Sequence, residues 1–449
     1  MIRVLLSGLT GLVIIGLVAL NLSPIGRIYL PSGTGIVAKQ MCSMVFISQL
    51  DSDYAKSIYL DPLLGGSKPL IHVDVDQDRQ EVSASVLGLF WQQNAVHREG
   101  LGCTLLHGAA NFDRTLSLPP VQDFEPLPLD AVHRDQAFDI AALNAAIDAA
   151  FADPDSGPRH TLGVAVLHQG RLVADRYAET VSQDTPFLGW SMTKSATTTL
   201  AGVLVQDGEI TLDTPPILTA DMPDRSDITL EDLLRMSGGL ALEERNNGMD
   251  PTSQMLFTQH DVAQFAATRA RLHAPGDHWE YMSGNTNLAS HTLQQYLGAD
   301  LEEQLTAYRA RVFEPLGIYS AIIEPDETGT LVGSSYMYAT AHDWARLAQL
   351  YLNDGRIGDQ QIVPDNWAEI VATPTEHSDG QYGLGFWLPL EHDGLPDGTY
   401  MMTGFQKQIA FIMPEQDLVV VRFGATNGVP SGSYELAASV AGALRTAAE

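Results

Sequence analysis

The stretch Gly189-Trp190-Ser191-Met192-Thr193-Lys194, running on into Ser195-Ala196-Thr197-Thr198-Thr199-Leu200-Ala201-Gly202-Val203-Leu204-Val205-Gln206, decides the reading of this 449-residue chain. Beyond Trp190, Leu200, Val203 and Leu204 recur at three- and four-residue intervals until Asp207-Gly208, a helical spacing followed by a stop. Ser191 therefore stands at or near a helix start with Lys194 one turn on. Their side chains share a face, with backbone positions about 5 Å apart along the axis. Lys194 is the only charged residue between Ser191 and Gln206, so the helix is expected to be buried on most sides. Burial lowers the pKa of an ammonium group, and a neutral amine is able to take the proton of the Ser191 hydroxyl. An arbitrary Ser-x-x-Lys is more often a helix-capping serine beside a snorkelling surface lysine. Here lysine is scarce: the chain has five, at 39, 56, 68, 194 and 407, and only Lys194 has a serine three residues before it.

Composition narrows the function classes. With 45% hydrophobic and 18% charged residues, the chain can bury a full core and is long enough for two domains. A formal charge of −30 argues against nucleic acid as a partner, because neutralising phosphates requires clustered Lys and Arg. Residues 1–25 carry an uncharged run from Val4 to Leu20, the length of a short membrane span. No clean Ala-x-Ala site follows, so an uncleaved membrane anchor is expected ahead of a secretory signal. The rest would then lie outside the cytoplasm, periplasmic if anchored or secreted if the segment is cleaved. The two cysteines, Cys42 and Cys103, are a candidate disulfide if that region is exported, the alternative being two buried free thiols. No Cys/His spacing typical of a metal site is present, and no cofactor is expected.

Residues 37–115 read as a small β-rich domain, with strands at Ser43–Ser48, Ile71–Asp76 and Glu81–Leu87, the last two joined by a polar turn. Asp74, Asp76 and Asp78 mimic the start of a calcium loop, but Arg79 stands where glycine is needed and Ser85 where glutamate is needed, so solvent-facing aspartates are the better reading. A proline-bearing linker over 116–135 marks the domain boundary. From there a helix is expected over Asp139–Phe151, then a hairpin of Leu162–His168 and Arg171–Tyr177 around Gln169-Gly170. Thr229 caps a helix ending at Ser237-Gly238-Gly239, and helical patterns continue to about residue 350 around the loop Pro275–Asn287. A second hairpin, 408–413 with 418–423, precedes a closing helix near 432–447. Strands at both ends with helices between them imply an α+β fold: one antiparallel sheet assembled from both termini, flanked by helices and carrying a helical subdomain.

The order Ser-x-x-Lys at 191–194, Tyr-x-Ser at 281–283 and Thr-Gly at 403–404 before a terminal hairpin is recognisable. From about residue 136 to 449 the chain resembles the serine β-lactamase and penicillin-binding-protein superfamily. Within it the likeness is to the class C-related branch with its family VIII esterases, D-amino-acid and D,D-peptidases and 6-aminohexanoate-dimer hydrolases. Leu233-Leu234-Arg235-Met236-Ser237-Gly238-Gly239-Leu240 and Tyr281-Met282-Ser283-Gly284-Asn285-Thr286 look most like the last group. The resemblance implies a serine hydrolase of esters or amides, with Ser191 as nucleophile, Lys194 as proton acceptor and Tyr281 as shared acid/base, its pKa lowered by the amine. Ser283 would be the polar neighbour of Lys194, and the backbone N–H groups of Ser191 and Phe405 the oxyanion hole, with Gly404 permitting close approach to substrate. Met402 departs from the pattern, since it stands where Lys or His normally grips the substrate carboxylate. Esters or simple amides are therefore expected ahead of β-lactams and D-Ala-D-Ala peptides. The remaining alternatives are a D,D-peptidase or penicillin-binding protein, a β-lactamase, and a non-catalytic cell-wall or partner-binding module on the same scaffold.

Overall fold

The computed structural model describes residues 19–110, 112–120, 122–390 and 394–445. Helix α1 (Leu30–Phe46) lies across an antiparallel meander of β1 (Ile71–Asp76), β2 (Glu81–Val86), β3 (Phe90–Arg98) and β4 (Gly102–Leu106), which pair in that order. The register runs from Ile71 opposite Val86 to Asp76 opposite Glu81, so His72 and Asp74 alternate to the exposed face while Val82 and Ala84 face the core. The strand expected at Ser43–Ser48 is instead the end of α1 and the turn after it. A short apolar run carries no period to separate helix from strand. What decides it is Lys39 and Ser43, one helical turn apart, which both reach Glu324 of the larger unit. Cys42 of α1 and Cys103 of β4 are disulfide-bonded, with Cα atoms 6.0 Å apart.

The expected membrane anchor does not stand. Residues 1–18 lie outside the described residues, and no helix among the described residues is long and apolar enough to cross a membrane. Membrane attachment, and the location outside the cytoplasm built on it, are therefore unsupported. The stretch after β4 is extended and tied down, with Leu118 N–H donating to Glu99 O at 2.8 Å and Leu129 bridging Leu172. A short helix, Ala131–Ala137, ends it.

The larger unit starts with α2 (Ile140–Phe151), whose N-cap Asp139 accepts the Ala141 and Ala142 N–H groups. The hairpin of β5 (Thr161–His168) and β6 (Arg171–Tyr177) turns through Gln169 and Gly170, both at positive φ. Then come α3 (Thr193–Gln206), α4 (Pro251–Thr258), α5 (Ser283–Gln294) and α6 (Ala341–Leu352), followed by β7 (Tyr400–Gly404), β8 (Gln408–Met413), β9 (Leu418–Gly424) and α7 (Ser433–Gly442). The sheet runs β7-β8-β9-β5-β6, so β9 from the end of the chain pairs antiparallel with β5 from its middle. Helix α7 is shorter than the pattern near 432–447 implied.

Both sheet faces are covered. On one, α2 and α7 bury Leu143, Ile147, Leu436 and Val440 against Val164, Val166, Phe411 and Val420. The other face belongs to a single core that also takes in α3, α6, and Val37, Met41 and Ala84 of the N-terminal unit. Close approach requires Gly35 in α1, where a Cβ would stand 2.4 Å from the Phe257 carbonyl oxygen of α4. Buried polar contacts lock the two units together. Glu324 pairs with Lys39 and accepts the Ser43 hydroxyl and the Cys103 N–H, both at 2.6 Å. Glu327 accepts the N–H groups of His107 and Gly108 at 2.7 and 3.0 Å.

Candidate active site

Trp190–Met192 form a tight 3-10 turn that leads directly into α3, and Trp190 holds the left-handed backbone φ of 49°. Helix α3 is buried from Thr193 to Leu204, as the uncharged run around Lys194 requires. Lys194 Nζ donates to Ser191 Oγ at 3.2 Å, to Ser283 Oγ at 3.0 Å and to the Ser334 carbonyl at 3.1 Å. Burial lowers its pKa to about 8, against the opposing pull of the Glu244 carboxylate.

Tyr281 comes from the loop ahead of α5. Lys194 Nζ lies 4.8 Å from its ring centroid, and Tyr281 lines the same cavity as Ser191. Trp387 and Tyr382 frame it, at ring separations of 5.0 and 5.7 Å. One expectation is reversed here. The phenol pKa is raised, because desolvation by burial, with the Glu244 carboxylate next, outweighs the opposing influence of Ser191 and Trp387. Tyr281 therefore keeps its proton through neutral pH, as a donor and not as a phenolate.

Glu244 is a residue the sequence did not single out. Its Oε2 accepts the Ser283 N–H at 2.8 Å and the Ser283 hydroxyl at 2.7 Å, anchoring the positive start of α5. The acidic pair Glu243-Glu244 belongs to no motif, and only folding carries it to Ser283.

Gly404 permits a close approach of one stretch of backbone to another. A Cβ there would meet the Gly189 carbonyl oxygen at 2.0 Å, so β7 lies directly against the turn that presents Ser191. The Phe405 ring stands edge-on to Trp190 at 5.5 Å. Met402 points into the core and is fully buried, whereas Lys407 is exposed with a left-handed backbone. Ser191, Tyr281, Ser283, Glu244, Gly404 and Phe405 line one cavity of about 440 Å³.

A model of the Beta-lactamase family matches residues 145–444, from within α2 to just past α7. The chain belongs to the beta-lactamase family. Among relatives of this beta-lactamase-family chain, penicillin-binding protein 4 of Amycolatopsis lactamdurans is 28% identical over 362 residues, 69% of this chain and 88% of that one. The 6-aminohexanoate-dimer hydrolase of Paenarthrobacter ureafaciens is 23% identical over 292 residues, 58% of this chain and 71% of that one. A solved structure from Bacillus anthracis, assigned as a 6-aminohexanoate-dimer hydrolase, superposes with a TM-score of 0.56 at 21% identity, covering 71% of this chain and 86% of that one. The family is one of hydrolases, and the sheet flanked by helices is its fold. The match begins after the N-terminal unit, which lies outside it.

Proposed function

We propose that the protein is a serine hydrolase that cleaves a neutral ester or amide through an acyl-enzyme on Ser191. The observation carrying this reading is the buried Lys194 amine, held between the Ser191 and Ser283 hydroxyls with its pKa lowered to about 8. In its neutral form the amine takes the Ser191 proton as Oγ attacks the substrate carbonyl carbon. Negative charge on the carbonyl oxygen is met by the N–H groups of Ser191 and Phe405. As the bond to the leaving group breaks, the Tyr281 phenol supplies a proton to the departing oxygen or nitrogen and is reprotonated from the Lys194 ammonium. Water then attacks the acyl carbon, giving a proton to Lys194, and the Lys194 ammonium returns it to Ser191 Oγ as the acyl bond breaks, releasing the carboxylic acid and restoring the hydroxyl.

Penicillins and D,D-peptides fit this site less well. Their recognition needs a cation for the carboxylate, and no Lys or Arg is among the cavity-lining residues, while Glu244 is. A fluorophosphonate probe should label Ser191 covalently. Labelling should vanish in Ser191→Ala and fall by about 10³-fold or more in Lys194→Ala, with Tyr281→Phe also strongly impaired. Folded protein that no such probe labels and that turns over no p-nitrophenyl ester would defeat the proposal.

A further inference from the structure

The cavity holding Ser191 is not built by the family domain alone. Gly33 and Ile36 of α1, Leu63 and Leu64 from the short helix after it, Ile71 of β1 and Val86 of β2 line it from the N-terminal unit. All lie before residue 145, where the family match begins. Tyr59, in the same stretch as Leu63, accepts the Gln406 side-chain amide at 2.9 Å, tying this wall to the loop directly after Gly404 and Phe405. The wall is mostly aliphatic where it meets the cavity, with Tyr29, Ser32 and Ser67 as its aromatic and polar members, and Leu256 and Phe257 of α4 extend it. With no cation among the lining residues, Glu244 beside the nucleophile and −30 charges on the whole chain, an anionic ligand is disfavoured at both close and long range.

We infer that the N-terminal unit is the substrate-chain half of the active site, and that the substrate is a neutral ester or amide bearing an extended alkyl chain packed between α1, the Leu63–Leu64 helix and the β1–β2 hairpin. This rests on the catalytic reading for its chemistry, but it concerns binding and is separable from it. Apolar burial is worth up to about fourfold per added methylene while the chain finds wall to cover, and a pocket of this kind typically encloses most of its ligand. Gly33 gives direct access to the wall. A Cβ built there meets nothing within 4 Å, so this cavity-lining position has room for a side chain.

The test uses the full chain and p-nitrophenyl esters from acetate to octanoate, with the half-ester of a dicarboxylate of matched length. Wild type should show kcat/KM rising at least about tenfold from acetate to octanoate, and discriminating at least tenfold against the matched chain ending in a carboxylate. Gly33→Phe and, independently, Leu64→Asn should flatten the octanoate-to-acetate ratio. A flat or falling series in wild type, or the same rise in both variants, overturns the inference while leaving the serine-hydrolase reading intact. If no ester is turned over and Ser191 is unlabelled, the catalytic reading fails. Calorimetric binding of the same esters to Ser191→Ala protein then decides the inference: affinity rising with chain length and weakened by Gly33→Phe supports it, and affinity independent of length overturns it.

Discussion

Whether Lys194 is charged is a contest between desolvation, which drives its pKa down, and Glu244, which holds it up. The balance lies near 8, so the base form is the minority at pH 7 and grows through the next pH unit. The prediction is a kcat/KM profile that rises with pH about an apparent pKa near 8, set by Lys194, since Tyr281 keeps its proton through this range. Glu244→Gln keeps an oxygen to accept from Ser283 but removes the charge. The rising limb should then move to lower pH, and a limb that stays in place or moves upward would show that Glu244 does not tune the amine. Tyr281 has the opposite history. Sequence reasoning pairs it with a nearby amine and lowers its pKa, whereas burial among Trp387 and Tyr382 leaves desolvation dominant and raises it.

Two contacts between elements carry consequences of their own. Strand β7 lies so close to the Gly189 carbonyl that a methyl group on Gly404 has no room. Gly404→Ala should push the strand from the Ser191 turn and cut kcat by about 10²-fold or more, with KM less affected, if Phe405 N–H helps to stabilise the oxyanion. Circular dichroism should show a native fold. The second contact is the buried pair of Lys39 on α1 with Glu324, which also accepts from Ser43 and Cys103. Desolvation pulls Lys39 down and Glu324 up, each opposed by its partner. Lys39→Met leaves a carboxylate buried without its cation and should cost about 3–5 kcal/mol in urea unfolding. Adding Glu324→Leu should return part of that loss, because the uncompensated charge is gone. A Lys39→Met protein of wild-type stability would show the pair to be irrelevant to docking α1.

At the scale of the whole molecule, the N-terminal unit and the family domain share one hydrophobic core, and the linker between them is strapped down. We therefore expect a single cooperative unfolding transition by heat and by denaturant, with coincident fluorescence and circular dichroism. Two separated transitions would mean the units are independent domains. The Cys42–Cys103 bond closes a loop of 61 residues within the N-terminal unit, worth about 4 kcal/mol in the chain-entropy model. Replacing both cysteines by alanine should lower the one shared Tm, and should not create a second transition, because the core that crosses the units remains.

The sequence by itself determined the two hairpins, the cap at Thr229, and the helix that follows Ser191. Each of these rests on local periodicity, turn chemistry or a spacing of a few residues, which the chain states without its neighbours. The motifs at 191, 281 and 403 likewise named the residues that gather in one cavity. Tertiary structure alone decided the rest. It made Ser43–Phe46 helical through a carboxylate 281 residues away from Ser43, and brought Glu244 to Ser283 across 39 residues. It also raised the Tyr281 pKa, and set aliphatic residues of the first 90 positions around Ser191. Burial and long-range pairing are properties of position in space, and no window of sequence contains them.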